Sequence, residues 1–292
     1  MATPRRILAV FNPAAGGDRQ VRFERIVTAL RSHGCAVNVI QTTAPGHAQA
    51  IARDTPTSTY DVIVAAGGDG TVNEIVNGLT GKDAVLGLMP LGTANVLADE
   101  IGFNHNPADV ARTLAFGPIT TIRVGRANGR RFTMMAGVGF DANVVHGVSL
   151  ALKKRIGPLA YVWQAIKQAA SGGFEVCDVS IDGVAYRPTS IVVCKGRRYG
   201  GPFIAAPEAN LADDRFHAIV MNGRGWLSVL RYGVALVMGR LAKLHDVQLV
   251  AGREVRVNSP AGQPVQADGD IIATLPVHIT IDPEAVRLVV PG

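Results

Sequence analysis

Along the first 120 residues the apolar positions switch repeatedly between two spacings. RRILAVFNP, CAVNVIQTT, YDVIVAAGG and AVLGLMP are short apolar runs that read as strands. YDVIVAAGG lacks alternation, as expected of a strand buried on both faces of a parallel sheet. Between these runs, DRQVRFERIVTALRSHG places Phe23, Ile26, Val27 and Leu30 on one helical face, with Gly34 as its stop. GHAQAIARD, TVNEIVNGL, ANVLADEIG and NPADVARTLAFG continue the helical half of the alternation. This order predicts an α/β domain with a doubly wound parallel sheet.

After ITTIRVGRA the texture changes. RRFTMMAGVGF, FEVCDVSIDG, VAYRPTSIVVCK, RFHAIVMNG, DVQLVAGREVRVNS, PVQADGD and VHITIDP are strand-like and separated by Gly, Pro, Asn or Asp. Two helical stretches interrupt them, around 142–170 and 226–244. The second half therefore reads as an antiparallel β-sandwich domain with helical insertions. The boundary is placed near residue 122, giving domains 1–122 and 123–292, with the last strand a candidate to return to the first domain.

Composition narrows the picture only slightly. Nearly half of the 292 residues are apolar, which supports a sizeable core and excludes disorder. A formal charge of +6 suits an anionic partner without choosing one. Cys35, Cys177 and Cys194 form no CxxC pair, so neither a disulfide framework nor a zinc site is indicated, and a reducing cytosol is expected. No apolar run approaches the length of a membrane span, and the start is too short for a signal-peptide core. A cytoplasmic protein is expected, at most peripheral at the inner membrane surface.

The chemistry concentrates in GGDGT, Gly67 to Thr71, at the carboxyl end of a predicted strand and ahead of a helix. Ligands of open α/β sheets bind beyond such strand ends. Glycines permit a tight turn and close approach, and amides at a helix start favour an anion. Asp69 would repel a bare phosphate, so its presence calls for a cation such as Mg²⁺, shared with the phosphates of a nucleotide. The competing reading is a tight loop whose aspartate caps the helix. Asn12-Pro13-AAGG and Gly92-Thr93-Ala94-Asn95 follow two other predicted strands, and three such loops at one sheet edge favour a nucleotide site. A Walker loop fails around Gly81-Lys82, where Val76 and Asp83 stand at the required positions. GVGFDA is a weak dinucleotide fingerprint, because no acid follows between Asp141 and Glu175; a close-packed β turn explains it better.

FNPAAGG, GGDGTVNEIVNGL and PLGTANVLADEIG resemble the nucleotide loops of the diacylglycerol kinase catalytic-domain family, to which sphingosine and ceramide kinases are related. The similarity continues through GPLAYVWQAI, RRYGGPFIAAPEANLADDRF and VQADGD. It implies an α/β domain and a β-sandwich with ATP and Mg²⁺ in the interdomain cleft. It assigns nucleotide contacts to Asn12, Thr42, Gly67, Gly68, Asp69, Gly70, Thr71, Val72, Asn73, Gly92 and Thr93, with Asp69 organising metal. It puts the catalytic acids at Asp268 and Asp270, the latter replacing the family's glutamate. On an extended strand these two would share a face, one taking the acceptor's proton; the alternative is a simple Asp-Gly hairpin turn. The resemblance also implies a second metal at Asp213, helped by carbonyls of Asn210 and Arg215, although Asp213-Asp214 replaces the usual Asp-Gly and His217 a common acid.

The expected activity is an ATP- and Mg²⁺-dependent lipid kinase, with diacylglycerol as the first acceptor to test. Sphingoid and ceramide acceptors stay open, as do an NAD kinase and, from another class, a nucleotide-binding sensor at the membrane. The expected partners are ATP and a lipid at a membrane surface rather than nucleic acid; a homodimer is open. Lys153, Lys154, Arg155, Tyr161 and Trp163, with the segment WLSVLRYGVALVMGRLAKL, suggest an interfacial surface.

Overall fold

The computed structural model describes residues 4–13, 18–139, 175–259 and 262–292. It divides into two compact units, residues 1–122 with 283–292, and residues 123–282.

In the first unit β1 (Arg6–Phe11), β2 (Ala36–Gln41), β3 (Val62–Gly67) and β4 (Val85–Pro90) lie parallel in the order β2-β1-β3-β4. The final strand, Val286–Val289, joins parallel to β4, and β5 (Ile119–Ile122) closes the edge antiparallel to it. Every residue of β3 and β4 is buried, in keeping with strands covered on both faces. The covering helices are α1 (Arg19–Ser32), α2 (His47–Asp54), α3 (Asp69–Gly78), α4 (Val96–Glu100) and α5 (Pro107–Phe116). The expected apolar face of α1 is the buried one, with Phe23 stacked on Phe11 at 4.1 Å. Two long-range side chains fix α2. Glu74 accepts from the amides of Gly46 and Ala48 at its start, and Lys82 donates to the carbonyls of Ala52, Arg53 and Thr55 at its end. Both charges match the helix dipole.

The second unit is an antiparallel sandwich. One sheet runs in the order β10-β9-β16-β19-β6-β7, from β6 (Gly125–Ala127), β7 (Arg130–Phe132), β9 (Asp178–Ile181), β10 (Val184–Tyr186), β16 (Glu254–Ser259) and β19 (Val277–Ile281). The other runs β15-β14-β11-β8-β17-β18, from β8 (Met135–Gly139), β11 (Ser190–Cys194), β14 (Phe216–Met221), β15 (Val247–Gly252), β17 (Pro264–Ala267) and β18 (Asp270–Thr274). Phe132, Val179, Ile181, Val255 and Ile279 from the first sheet meet Val138, Ile191, Phe216, Val220 and Val265 from the second in one core. Removing that apolar surface from water is the main favourable term holding the layers together. A short ribbon, β12 (Arg198–Tyr199) with β13 (Phe203–Ile204), stands apart from both sheets.

Two sequence expectations are corrected here. DVQLVAGREVRVNS is not one strand, because β15 and β16 belong to different sheets. The chain crosses at Arg253, where the Asp182 carboxylate accepts from the amides of Arg253 and Glu254. The helix expected over 226–244 is α6 (Gly225–Val237) and then a separate 3-10 turn, Leu241–Lys243. Gly239, at φ +64°, takes a left-handed conformation that ends the helix. The helical stretch expected over 142–170, with Lys153, Lys154, Arg155, Tyr161 and Trp163, lies outside the described residues.

Asp282 is fully buried in the second unit. Its carboxylate accepts from Arg131 through two nitrogens, at 2.9 and 3.0 Å, and from Arg126 at 2.8 Å. Arg131 is itself only 2% exposed, so the charges are compensated away from water.

Candidate active site

The GGDGT segment turns β3 into α3. Gly68 is the extended residue just before the helix, and Asp69 is its first residue. The carboxylate also reaches beyond its own helix. Its Oδ1 accepts from the amide of Val96, 2.6 Å away, at the start of α4. Asp69 thus ties the first glycine loop to the loop after β4, and its charge stands at the start of two helices, where a negative group is favoured.

The glycines have a local reason as well. A Cβ on Gly68 would stand 3.1 Å from the Cα of Gly92, and one on Gly92 would stand 2.4 Å from the Cα of Gly68. On Gly67 it would meet the Thr71 hydroxyl at 2.4 Å. The two loops therefore pack backbone to backbone. Asn95, in the left-handed region at φ +48°, accepts from the Gly92 amide at 2.7 Å through its side chain. Beneath them lies a crevice of about 10 Å³, lined by Gly67, Gly68, Asp69, Asn95 and their neighbours, with room for one water at most.

The other expected contacts fall around these loops. Asn12 follows β1, its amide donating to the Ala66 carbonyl and its side chain donating to the Thr71 hydroxyl at 3.2 Å. Thr42 follows β2, its amide donating to the Phe11 carbonyl at 2.8 Å. Gly70, Thr71, Val72 and Asn73 form the first turns of α3, where Val72 and Asn73 are buried. Arg19 was not anticipated. It donates to the Thr93 hydroxyl at 3.1 Å from the first turn of α1. An arginine in a helix's first turn, where acids are preferred, was the legible signal. Hydroxyl, amide and carboxylate oxygens are the donor chemistry that suits Mg²⁺ with a phosphate, so the residues fit the expected ion.

The second half of the expected site is the VQADGD hairpin. Asp268 and Gly269 have φ values of +48° and +89° and link β17 to β18, with Ala267 facing Asp270 in register. Two successive positive φ values are what a tight two-residue hairpin requires. This corrects the expectation that Asp268 and Asp270 share one face of a strand, because Asp268 is in the turn itself.

The two acids have different surroundings. Asp268 Oδ2 accepts from the amide and hydroxyl of Thr133, at 2.7 and 3.0 Å. Its Oδ1 accepts from the amides of Met134 and Met135, at 2.9 and 3.1 Å. Four donors on one carboxylate fix the turn against the break between β7 and β8. Asp270, at the head of β18, is exposed. Thr133 carried no sequence signal, since its role depends on a partner 135 residues away.

At the third expected location, Asn210, Asp213 and Arg215 lie in the loop before β14. The Asn210 carbonyl accepts from the Lys195 ammonium at 2.7 Å and from the Asp213 amide at 3.2 Å. A carbonyl offers two lone pairs, so this one is filled without a metal. Among the described residues no cluster of three His, Cys, Asp or Glu side chains could hold a metal ion.

Comparison with known proteins agrees with these features. Residues 6–127 match the diacylglycerol kinase catalytic domain, and residues 134–290 match the YegS C-terminal NAD kinase beta sandwich-like domain. A protein named diacylglycerol kinase from Bacillus subtilis (strain 168) is 26% identical over 278 residues, covering 93% of this chain and 92% of that protein. A Pseudomonas aeruginosa PAO1 protein named "Probable lipid kinase YegS-like" is 28% identical over 298 residues, covering 98% of this chain and 95% of the relative. A crystal structure of a diacylglycerol kinase from Bacillus anthracis str. Sterne superposes with a TM-score of 0.75 at 20% identity, over 99% of this chain and 98% of that one. That likeness bears on the fold. Two domain matches that together span nearly the whole chain, on a parallel α/β unit and an antiparallel sandwich, place it in the diacylglycerol kinase and YegS-like family of lipid kinases.

Proposed function

We propose that this chain transfers the γ-phosphate of ATP to a hydroxyl of a membrane lipid, diacylglycerol first among the candidates. The observation that carries the proposal is the division between the two acids. Asp268 has both oxygens committed to four donors and serves as a positioning residue, whereas Asp270 is exposed on the strand that this turn begins. Asp270 is then the general base: it takes the proton of the acceptor hydroxyl as that oxygen bonds to the γ-phosphorus and the bond to the β-phosphate oxygen breaks, releasing ADP.

In the first unit, the crevice under the loops is too small for a nucleotide, so ATP binds over their outer face. There Asn12, Thr71 and Thr93 offer polar groups, and Arg19 adds a positive charge beside Thr93. When bound, Mg²⁺ supplies charge neutralisation at the phosphates. Asp69, held by the Val96 amide, is the carboxylate suited to retain it.

No described helix is long and apolar enough to cross a membrane. The lipid is proposed to be met at a surface. Helix α6 suits that task. Trp226, Leu227, Leu230, Val234, Val237 and Met238 are each at least half exposed. At about 100° per residue they fall within roughly 120° of arc, with Ala235 and Tyr232 on the opposite side. The opposite side is anchored: the Tyr232 hydroxyl accepts from the Gly223 amide at 2.7 Å and donates to Asp246 at 2.6 Å, while Arg231, at the edge of the arc, also pairs with Asp246. No acid occurs between Asp214 and Asp246, while Arg224, Arg240 and Lys243 flank the apolar arc. An anionic bilayer surface on the cytoplasmic side is the occupant this combination fits.

The direct test uses labelled ATP, Mg²⁺, a total lipid extract and NAD as competing acceptor. Label in an organic-phase product that comigrates with phosphatidic acid is the expected result. Label in NADP, with none in lipid, would overturn it.

A further inference from the structure

Lys195 follows β11 and has no exposed surface. Its backbone amide donates to the Met134 carbonyl at 2.7 Å, so its position is set by the start of β8. Its ammonium reaches the loop before β14 and donates to the Asn210 carbonyl at 2.7 Å. That carbonyl also takes the Asp213 amide, and the Asn210 side-chain oxygen takes the Ala212 amide at 3.0 Å. Charged groups face the ammonium from several elements: Asp213 and Asp214 attract it from the loop, and Arg123 opposes it. Asp214 is shared with Arg253. His217 in β14, where an acid would serve a cation, is buried, and burial holds its pKa below the usual histidine value.

A buried ammonium is expensive unless paired and hydrogen-bonded. Here the pairing is with the oxygen-rich loop for which a divalent cation was expected. The two cations are mutually exclusive on electrostatic grounds, because a divalent ion beside a buried ammonium would be repelled at short range in a weakly screening interior.

We propose that Lys195 is a built-in cation for the Asn210–Asp213 loop, standing in the place of a bound divalent metal, so that the loop's conformation is independent of metal supply. The inference goes beyond the proposed lipid kinase activity and does not depend on it.

The test needs no turnover. Wild-type protein without nucleotide is melted with and without millimolar Ca²⁺ or Mg²⁺, and Mn²⁺ binding is followed by electron paramagnetic resonance. The expected result is an unchanged melting temperature and no stoichiometric Mn²⁺ site that Asp213→Asn removes. Lys195→Ala vacates the position; it is expected to melt lower and to regain stability with Ca²⁺, an effect abolished by adding Asp213→Asn. Stoichiometric Mn²⁺ on the wild type, lost in Asp213→Asn, would overturn the proposal. So would a Lys195→Ala variant that melts like the wild type, or one that Ca²⁺ does not restore. If Lys195→Ala fails to fold, the wild-type Mn²⁺ measurement decides alone.

Discussion

At the scale of single residues, two aspartates in similar Gly-Asp-Gly or Asp-Gly settings are held in different ways. One Asp69 oxygen accepts from the backbone amide of Val96. Asp69→Asn keeps an oxygen that can accept there, so the melting temperature should stay close to wild type while turnover is lost with the charge. Retained Mg²⁺ dependence in an active Asp69→Asn protein would remove the residue from the metal role. Asp268 is different, since replacing one oxygen by an NH₂ group aims it at N–H or O–H donors. Each buried donor left without an acceptor costs about 1–3 kcal/mol, so Asp268→Asn should melt clearly lower in calorimetry. The sequence made both acids visible as candidates, because each is followed by a glycine at the end of a predicted strand. It could not show which carboxylate would be fixed by four donors. That distinction comes from Thr133, Met134 and Met135, which only the fold brings to Asp268.

At the scale of elements, the strand and helix alternation of the first 120 residues was readable because buried parallel strands are continuously apolar and α1 is amphipathic. The glycine loops were readable as loops, but part of the reason for their glycines was not. Gly68 and Gly92 are bare because they touch each other, a contact between segments 24 residues apart in sequence. In the second half, antiparallel strands break at places that hydropathy does not mark, such as Arg253, where Asp182 binds the crossing backbone. Helix α6 has an apolar arc that a core helix would also show; its exposure is what separates the two cases. Trp226→Ser and Leu230→Ser together should weaken binding to phosphatidylglycerol-rich vesicles by about tenfold or more, since burying one such side chain contributes about 1.5–3 kcal/mol. Vesicle sedimentation checks this, and added salt should weaken wild-type binding further through Arg224, Arg240 and Lys243. Binding that ignores both changes would return α6 to an ordinary exposed helix.

At the scale of the whole molecule, the chain leaves its first unit after Ile122 and rejoins it at Pro283. The final strand completes the parallel sheet between β4 and β5. Its pairing partners lie more than 160 residues earlier, so the sequence allowed this return without requiring it. Asp282, the last residue of the second unit, anchors that end through Arg131 and Arg126. Asp282→Asn leaves the buried Arg131 and the half-buried Arg126 without their counter-charge and should destabilise the protein by about 3–5 kcal/mol, measured by denaturant unfolding. An unchanged midpoint would show that the ion pair is dispensable.

The central claim is that an exposed aspartate on a hairpin fixed by its neighbour removes the proton from a lipid hydroxyl. Its most direct test is single-turnover transfer from labelled ATP to diacylglycerol in vesicles, comparing wild type with Asp270→Asn. The account predicts that Asp270→Asn folds and melts like the wild type, binds ATP with similar affinity, and transfers phosphate about 10²–10⁴-fold more slowly. Transfer at the wild-type rate by a folded Asp270→Asn protein would contradict it.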